Sequence, residues 1–307
     1  MDELNKLLDK HKVFIQKNVF DTSKKGTLID VLRIDTIHQV VSGNKIFKLK
    51  LHLTDAIKMK LNTIATFGGA YSNHILATAF ACNSLAVNSI GIIRGEKPAK
   101  MSDTLLESER LGMNLIFVSR EEFRDKAKLK KGLDAPIYWV NEGGYSKLGA
   151  EGVKDMFEWI DESYTDIVCA VGTGTMMAGL IAGARINQKV TGICVLKGYE
   201  GATLDIENLL SQEDKTKNYK VLHQYHLGGY AKQNDLQITW MNNFYKQYKI
   251  PTDIVYTSKL FMAVEDLINN DYFINGSKVL IIHSGGLQGN NSINDERLNF
   301  YTNNKMI

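Results

Sequence analysis

Very little in this chain punctuates or staples it. Three prolines are spread over 307 residues and no Ser/Gly-rich linker parts one stretch from another, so any second domain must run continuously into the first. Cys82, Cys169 and Cys194 are odd in number and include no C-x-x-C pair, which argues against a disulfide framework and against a zinc site. Cys169 and Cys194 lie in apolar runs, where cysteine acts as a small buried hydrophobe. No apolar run approaches the ~18 residues of a membrane helix, and the first residues, "MDELNKLLDKHK", are too charged for a secretory signal. Neither sign of charge dominates: 37 basic and 34 acidic residues leave +3, too balanced to argue for nucleic acid or a membrane surface as partner. The expectation is a soluble, cytoplasmic protein.

What is present is alternation. With 44% hydrophobic residues the chain can fill the core of one large or two medium α/β domains. "TIATF", "SIGII", "NLIFV", "PIYWV", "DIVCAV", "TGICVL" and "KVLIIH" read as strands buried on both faces. Between them, segments such as "SNHILATAFACNSLA" and "LGAEGVKDMFEWIDESY" carry apolar positions at helical spacing. Strand–helix alternation predicts parallel sheet with helices on both sides. The polar stretches "SREEFRDKAKLKKGLDA" and "SQEDKTKNYK" are expected at the surface.

Glycines cluster directly after four of these strands: "TFGGAYSNH", "NEGGYS", "AVGTGTMMAG" and "HSGGLQGN". Ligands of parallel sheets collect at such strand ends. "AVGTGTMMAG" is strand, Gly-Thr-Gly-Thr turn, helix, where free N–H groups and the positive helix end favour a phosphate; an ordinary tight turn is the alternative. A dinucleotide fingerprint fits poorly, with Met177 at its third glycine position and Lys197 ending the next strand in place of an acid. A Walker A loop lacks its Lys-Ser or Lys-Thr pair. In "TFGGAYSNH", Ser72, Asn73 and His74 meet a helix start that could hold a carboxylate, although a plain N-cap would account for Ser72 alone.

"SGNKIFKLK" places Lys45, Lys48 and Lys50 behind a Gly-Asn turn. A lysine at a helix N-terminus is opposed by the macrodipole, and Lys48 one turn on adds like-charge repulsion. Both lower the amine's pKa, which suits imine formation with a carbonyl. An activated lysine and a separate phosphate cup together match a cofactor with one aldehyde and one phosphate: pyridoxal 5'-phosphate.

"VSGNKIFKLK", "TFGGAYSNHILATA", "IGIIRGE", "AVGTGTMMAG", "YHLGGYAK", "IVYTSK" and "HSGGLQGN", in this order, resemble the family of 1-aminocyclopropane-1-carboxylate deaminase and D-cysteine desulfhydrase. The resemblance implies two open, twisted, mostly parallel sheets flanked by helices, the tryptophan-synthase β-like fold (pyridoxal-phosphate fold type II). Residues 48–154 would form a smaller α/β domain inserted into a larger cofactor-binding domain of residues 1–47 and 155–307, in a homodimer. It implies that Lys45 forms the cofactor imine and Asn44 bonds the pyridine 3-oxygen. Gly172, Thr173, Gly174 and Thr175 would cradle the phosphate. Ser72, Asn73 and His74 would grip the carboxylate of a small amino-acid substrate. Tyr230 and Tyr256 would line the pocket, and Thr257 would face the pyridine nitrogen.

The departures bear on the reaction. The deaminase proper has an acid after the pocket tyrosine, where this chain has Thr257; a hydroxyl holds the ring nitrogen protonated less well, making a weaker electron sink. That favours β-elimination of D-cysteine to pyruvate, ammonia and sulfide over cyclopropane opening, with Lys45 or Ser72 moving the α-proton. Ile34, Phe47, Met176 and Ser258 also depart from residues common in relatives, which keeps open a catalytically silent, cofactor-binding homologue. His11, His38 and His52 lack metal-ligand spacing, and the three tryptophans read as packing residues.

Overall fold

The computed structural model describes residues 9–22, 26–38, 40–133, 135–229, 232, 234–293 and 295–300. Among these, the β-branched runs form ten strands: β1 (Phe14–Gln16), β2 (Leu28–Arg33), β3 (Thr63–Gly68), β4 (Asn88–Arg94), β5 (Met113–Val118), β6 (Tyr138–Val140), β7 (Asp166–Val171), β8 (Lys189–Cys194), β9 (Tyr219–Leu222) and β10 (Lys278–Ile282). They pair into a six-stranded sheet ordered β1-β2-β10-β7-β8-β9 and a four-stranded sheet ordered β5-β4-β3-β6. Every pairing between named strands is parallel except β1 with β2.

The helices between them are α1 (Asn44–Lys58), α2 (Asn73–Ser84), α3 (Asp103–Arg110), α4 (Lys126–Lys131), α5 (Lys147–Val153), α6 (Thr175–Gly183), α7 (Ala202–Glu207), α8 (Asp235–Tyr248) and α9 (Thr257–Asn269). Parallel sheet flanked by helices is what the strand–helix alternation called for, and its division into two open sheets is what the family resemblance implied. All seven apolar runs read as strands coincide with or overlap one.

Alternation along the strands divides the large sheet's two faces. Ile281 of β10 stands opposite Val31 on one side and Val168 on the other, and the three pack with Phe261 and Val264 of α9. The opposite face presents Leu32, Ile167 and Ile282 to a second layer containing Phe47 and Leu49 of α1 and Leu180 of α6. In the small sheet Ile92 lies between Phe67 and Ile116, covered by Phe123. Phe123 anchors the otherwise polar 119–135 stretch, which includes α4.

The small sheet's strands span residues 63–140, and those of the large sheet flank it in sequence. The expected domain limits fall inside α1, at 47/48, and one residue past α5, at 154/155.

Helix starts differ in a way that prepares the site. α2, α5 and α8 open on Ser72, Ser146 and Asn234, whose side-chain oxygens accept from Ile75 N, Gly149 N and Gln237 N. These caps consume part of the unpaired N–H set of a helix start. α1 and α6 open instead on Gly43 and Gly174, with no side-chain cap. Their first N–H groups are left for something else.

Candidate active site

Four turns at the carboxyl ends of parallel strands, together with the starts of α1 and α9, converge between the two sheets. Gly43 makes that convergence possible. Its φ is +72° and a Cβ there would lie 1.9 Å from Ser284 O, so only glycine lets α1 begin against the turn after β10. Asn44 N donates to the same oxygen at 3.2 Å. The α1 start therefore sits on the 284–286 turn, and Lys45 is its second residue.

Lys45 Nζ donates to Asn44 Oδ1 at 2.6 Å and stands 5.9 Å from the Tyr256 ring centroid. Burial pulls its pKa down to about 8, against the opposing negative charge of Asp253. The direction is the one the sequence suggested, but the main cause is desolvation. Lys48, buried one turn on, shares the pocket, with Nζ 3.4 Å from Gly143 O. Its pKa falls well below the usual lysine value, first through burial and then through the charge of Lys45.

Facing these amines is the β7–α6 turn. Gly174 holds φ +82°, and a Cβ there would meet Ile206 Cγ1 at 2.7 Å, so the left-handed turn needs glycine. Thr173 and Thr175 hydroxyls lie 3.1 Å apart. Thr175 is buried behind the turn, while Gly172, Thr173 and Gly174 line the pocket with Asn44 and Lys45. Met176 lines it too, and its thioether accepts from Asn44 Nδ2 at 3.1 Å. Asn44 is therefore engaged at both ends of its amide.

The remaining expected residues divide. Asn73 lines the pocket; its Nδ2 donates to Gly286 O at 3.3 Å and its buried Oδ1 has no partner. Ser72 is the α2 N-cap, accepting from Ile75 N at 3.3 Å, the plainer of its two readings. His74 is buried, with Nε2 2.9 Å from Thr66 Oγ1; burial and the charges of Lys45 and Lys48 hold its pKa well below the usual histidine range. Neither Ser72 nor His74 lines the pocket. Tyr256 does, its ring lying against Gly172, where a Cβ would be 3.0 Å from Cε1. Thr257 is buried, with its hydroxyl on Asp253. Tyr230 lies outside the described residues.

Two of the departures are packing substitutions away from the chemistry. Phe47 is buried edge-on to Trp159, centroids 6.2 Å apart. Ile34 is core, between Arg33 and Asp35, which pair bidentately at 2.8 Å. Ser258 accepts from Gln237 Nε2 at 2.7 Å.

Sequence reasoning missed Asp253 and gave Lys48 no role of its own. It also flagged the "NEGGYS" and "HSGGLQGN" turns without assigning them a task. The i,i+3 spacing of Lys45 and Lys48 was a visible signal; Asp253, a buried cap, had only its place four residues before Thr257.

An amine of lowered pKa, a second buried amine and an uncapped Gly-Thr-Gly turn in one pocket fit an aldehyde carrying one phosphate, the donor set of a pyridoxal-phosphate enzyme. The chain belongs to the pyridoxal-phosphate dependent enzyme family, which matches residues 35–285. A Thermotoga maritima protein provisionally named 1-aminocyclopropane-1-carboxylate deaminase is 31% identical over 293 residues, covering 87% of this chain and 91% of that one. The bifunctional D-cysteine desulfhydrase/1-aminocyclopropane-1-carboxylate deaminase of Arabidopsis thaliana is 28% identical, covering 86% and 73%. Among solved structures, a 1-aminocyclopropane-1-carboxylate deaminase homologue superposes with a TM-score of 0.79 at 25% identity, over 94% of each chain.

Proposed function

We propose that this protein is a D-cysteine desulfhydrase-like lyase, releasing pyruvate, ammonia and sulfide from a small amino acid. The observation that carries the reading is the Lys45 amine, its pKa lowered to about 8, in one pocket with the uncapped 172–174 turn. When bound, pyridoxal phosphate supplies a ring that withdraws electrons from the substrate's α-carbon. Lys45 holds it, and Gly172, Thr173, Gly174 and Thr175 receive its phosphate. Burial lowers the pKa of Lys48, and an anion beside it would favour its charged form and make it a counter-charge.

The chain's own residues do the rest. Asn44 Oδ1 orients Lys45 Nζ, which moves the proton at the α-carbon, with Ser72 as the rival for that step. Asn73 and the α2 start meet the substrate carboxylate, backed by His74, and Tyr256 walls the substrate in. Asn44 would also meet the ring's 3-oxygen, and Thr257 the ring nitrogen. Residues 48–154 serve as the smaller domain of a soluble cytoplasmic homodimer.

The described pocket lining contains no carboxylate. That favours a substrate bringing its own leaving group over one whose ring must be opened by a second protein acid or base. Ring-opening deamination is the second reading, supported by the names of both relatives. Assays of sulfide and pyruvate from D-cysteine beside 2-oxobutanoate from 1-aminocyclopropane-1-carboxylate separate the two. The first is expected to exceed the second; the reverse order would replace this assignment, and coloured protein inert to both would make the chain a silent homologue.

A further inference from the structure

Asp253 is a fully buried carboxylate that none of the roles above uses. Four donors converge on it: Val255 N at 2.8 Å and Tyr256 N at 2.9 Å on Oδ2, Thr257 N at 2.8 Å and Thr257 Oγ1 at 2.7 Å on Oδ1. It therefore caps α9 and sets the backbone of pocket-lining Tyr256. The main chain closes round it: a Cβ on Gly289 would stand 3.4 Å from Oδ2, in contact.

The consequence lies in the direction of the Thr257 hydroxyl. Asp253 N donates to Thr257 Oγ1 at 2.7 Å, and the hydroxyl donates to Oδ1. A hydroxyl has one proton and two lone pairs. Its proton is spent on the carboxylate and one lone pair on an N–H. What remains is a single lone pair, so any further partner of Thr257 must be a donor.

We propose that Asp253 is a positioning residue acting through Thr257: the pair presents the cofactor ring nitrogen with a carboxylate-backed acceptor and so holds that nitrogen protonated. This rests on the functional reading above, in which Thr257 meets the ring nitrogen. It reverses the expectation that threonine leaves a weak electron sink, because the negative charge stands one hydroxyl further back. The same charge acts on Lys45 and on the buried Lys259, which places it within electrostatic reach of the site.

The test is the nitrogen-15 spectrum of the protein reconstituted with ring-labelled pyridoxal phosphate. Wild type is expected to give the protonated resonance. Thr257→Val and Asp253→Asn should both lose it, and Thr257→Ser, which keeps the hydroxyl, should retain it. A coloured wild type with an unprotonated ring nitrogen overturns the proposal alone. A protonated resonance that survives Thr257→Val overturns it too, even if Asp253→Asn fails to fold. A wild type that takes up no cofactor defeats the functional reading, and the proposal with it.

Discussion

At the scale of the residue, the role proposed for Lys45 makes its pKa the quantity that sets how fast the chain should capture its cofactor. Only the neutral amine attacks an aldehyde. With a pKa of about 8, ~10% is neutral at pH 7, roughly 300-fold more than for an ordinary lysine. The rate at which cofactor-free protein develops near-visible absorbance with pyridoxal phosphate should rise through pH 8 and level off above it. A midpoint near pH 10.5 would show that the amine is not desolvated. Lys45→Ala should remove that absorbance altogether; persistent colour would mean another attachment point. Lys48→Met should keep the colour but weaken cofactor affinity by about 10- to 100-fold, the worth of a charge-assisted contact, as read by equilibrium dialysis. Unchanged affinity would take Lys48 out of the cofactor site.

At the scale of the element, the site depends on helices that begin without caps. Gly174→Ala must adopt φ +82° and meet Ile206, which costs about 1–3 kcal/mol for the backbone alone. It should lower the melting temperature and loosen the cofactor together; a variant as stable and as tightly loaded as wild type would mean that the turn tolerates a side chain.

Element identity was largely legible because strands buried on both faces spell continuous apolar runs. β2 escaped that reading. Asp30 and Arg33 interrupt its sequence, and only the fold supplies Tyr164 OH at 2.8 Å to Asp30 and Asp35 to Arg33. β1 and β9 have three and four residues, too few for periodicity to register.

At the scale of the whole molecule, the pocket is an assembly of remote segments. Asn73, which begins the helix after β3 of the small sheet, donates to Gly286 beyond β10 of the large one, while Lys48 of α1 reaches Gly143 after β6. Asn73→Ala removes one tie between the two halves and leaves both sheets intact. Turnover of D-cysteine should fall more than cofactor affinity does; equal losses in both would make Asn73 a cofactor ligand first. No described helix is long and apolar enough to cross a membrane.

The sequence by itself determined the alternation of strand and helix, the glycine turns and the lysine in the first turn of α1, because these are properties of neighbouring residues. Ser72, Asn73 and His74 are consecutive in sequence, yet only tertiary structure decided that Asn73 enters the pocket while Ser72 caps a helix and His74 turns to Thr66. It alone put Phe47 and Ile34 into the core and stationed Asp253 behind Thr257. Burial and hydrogen-bond direction depend on segments far apart along the chain, and no local pattern encodes them.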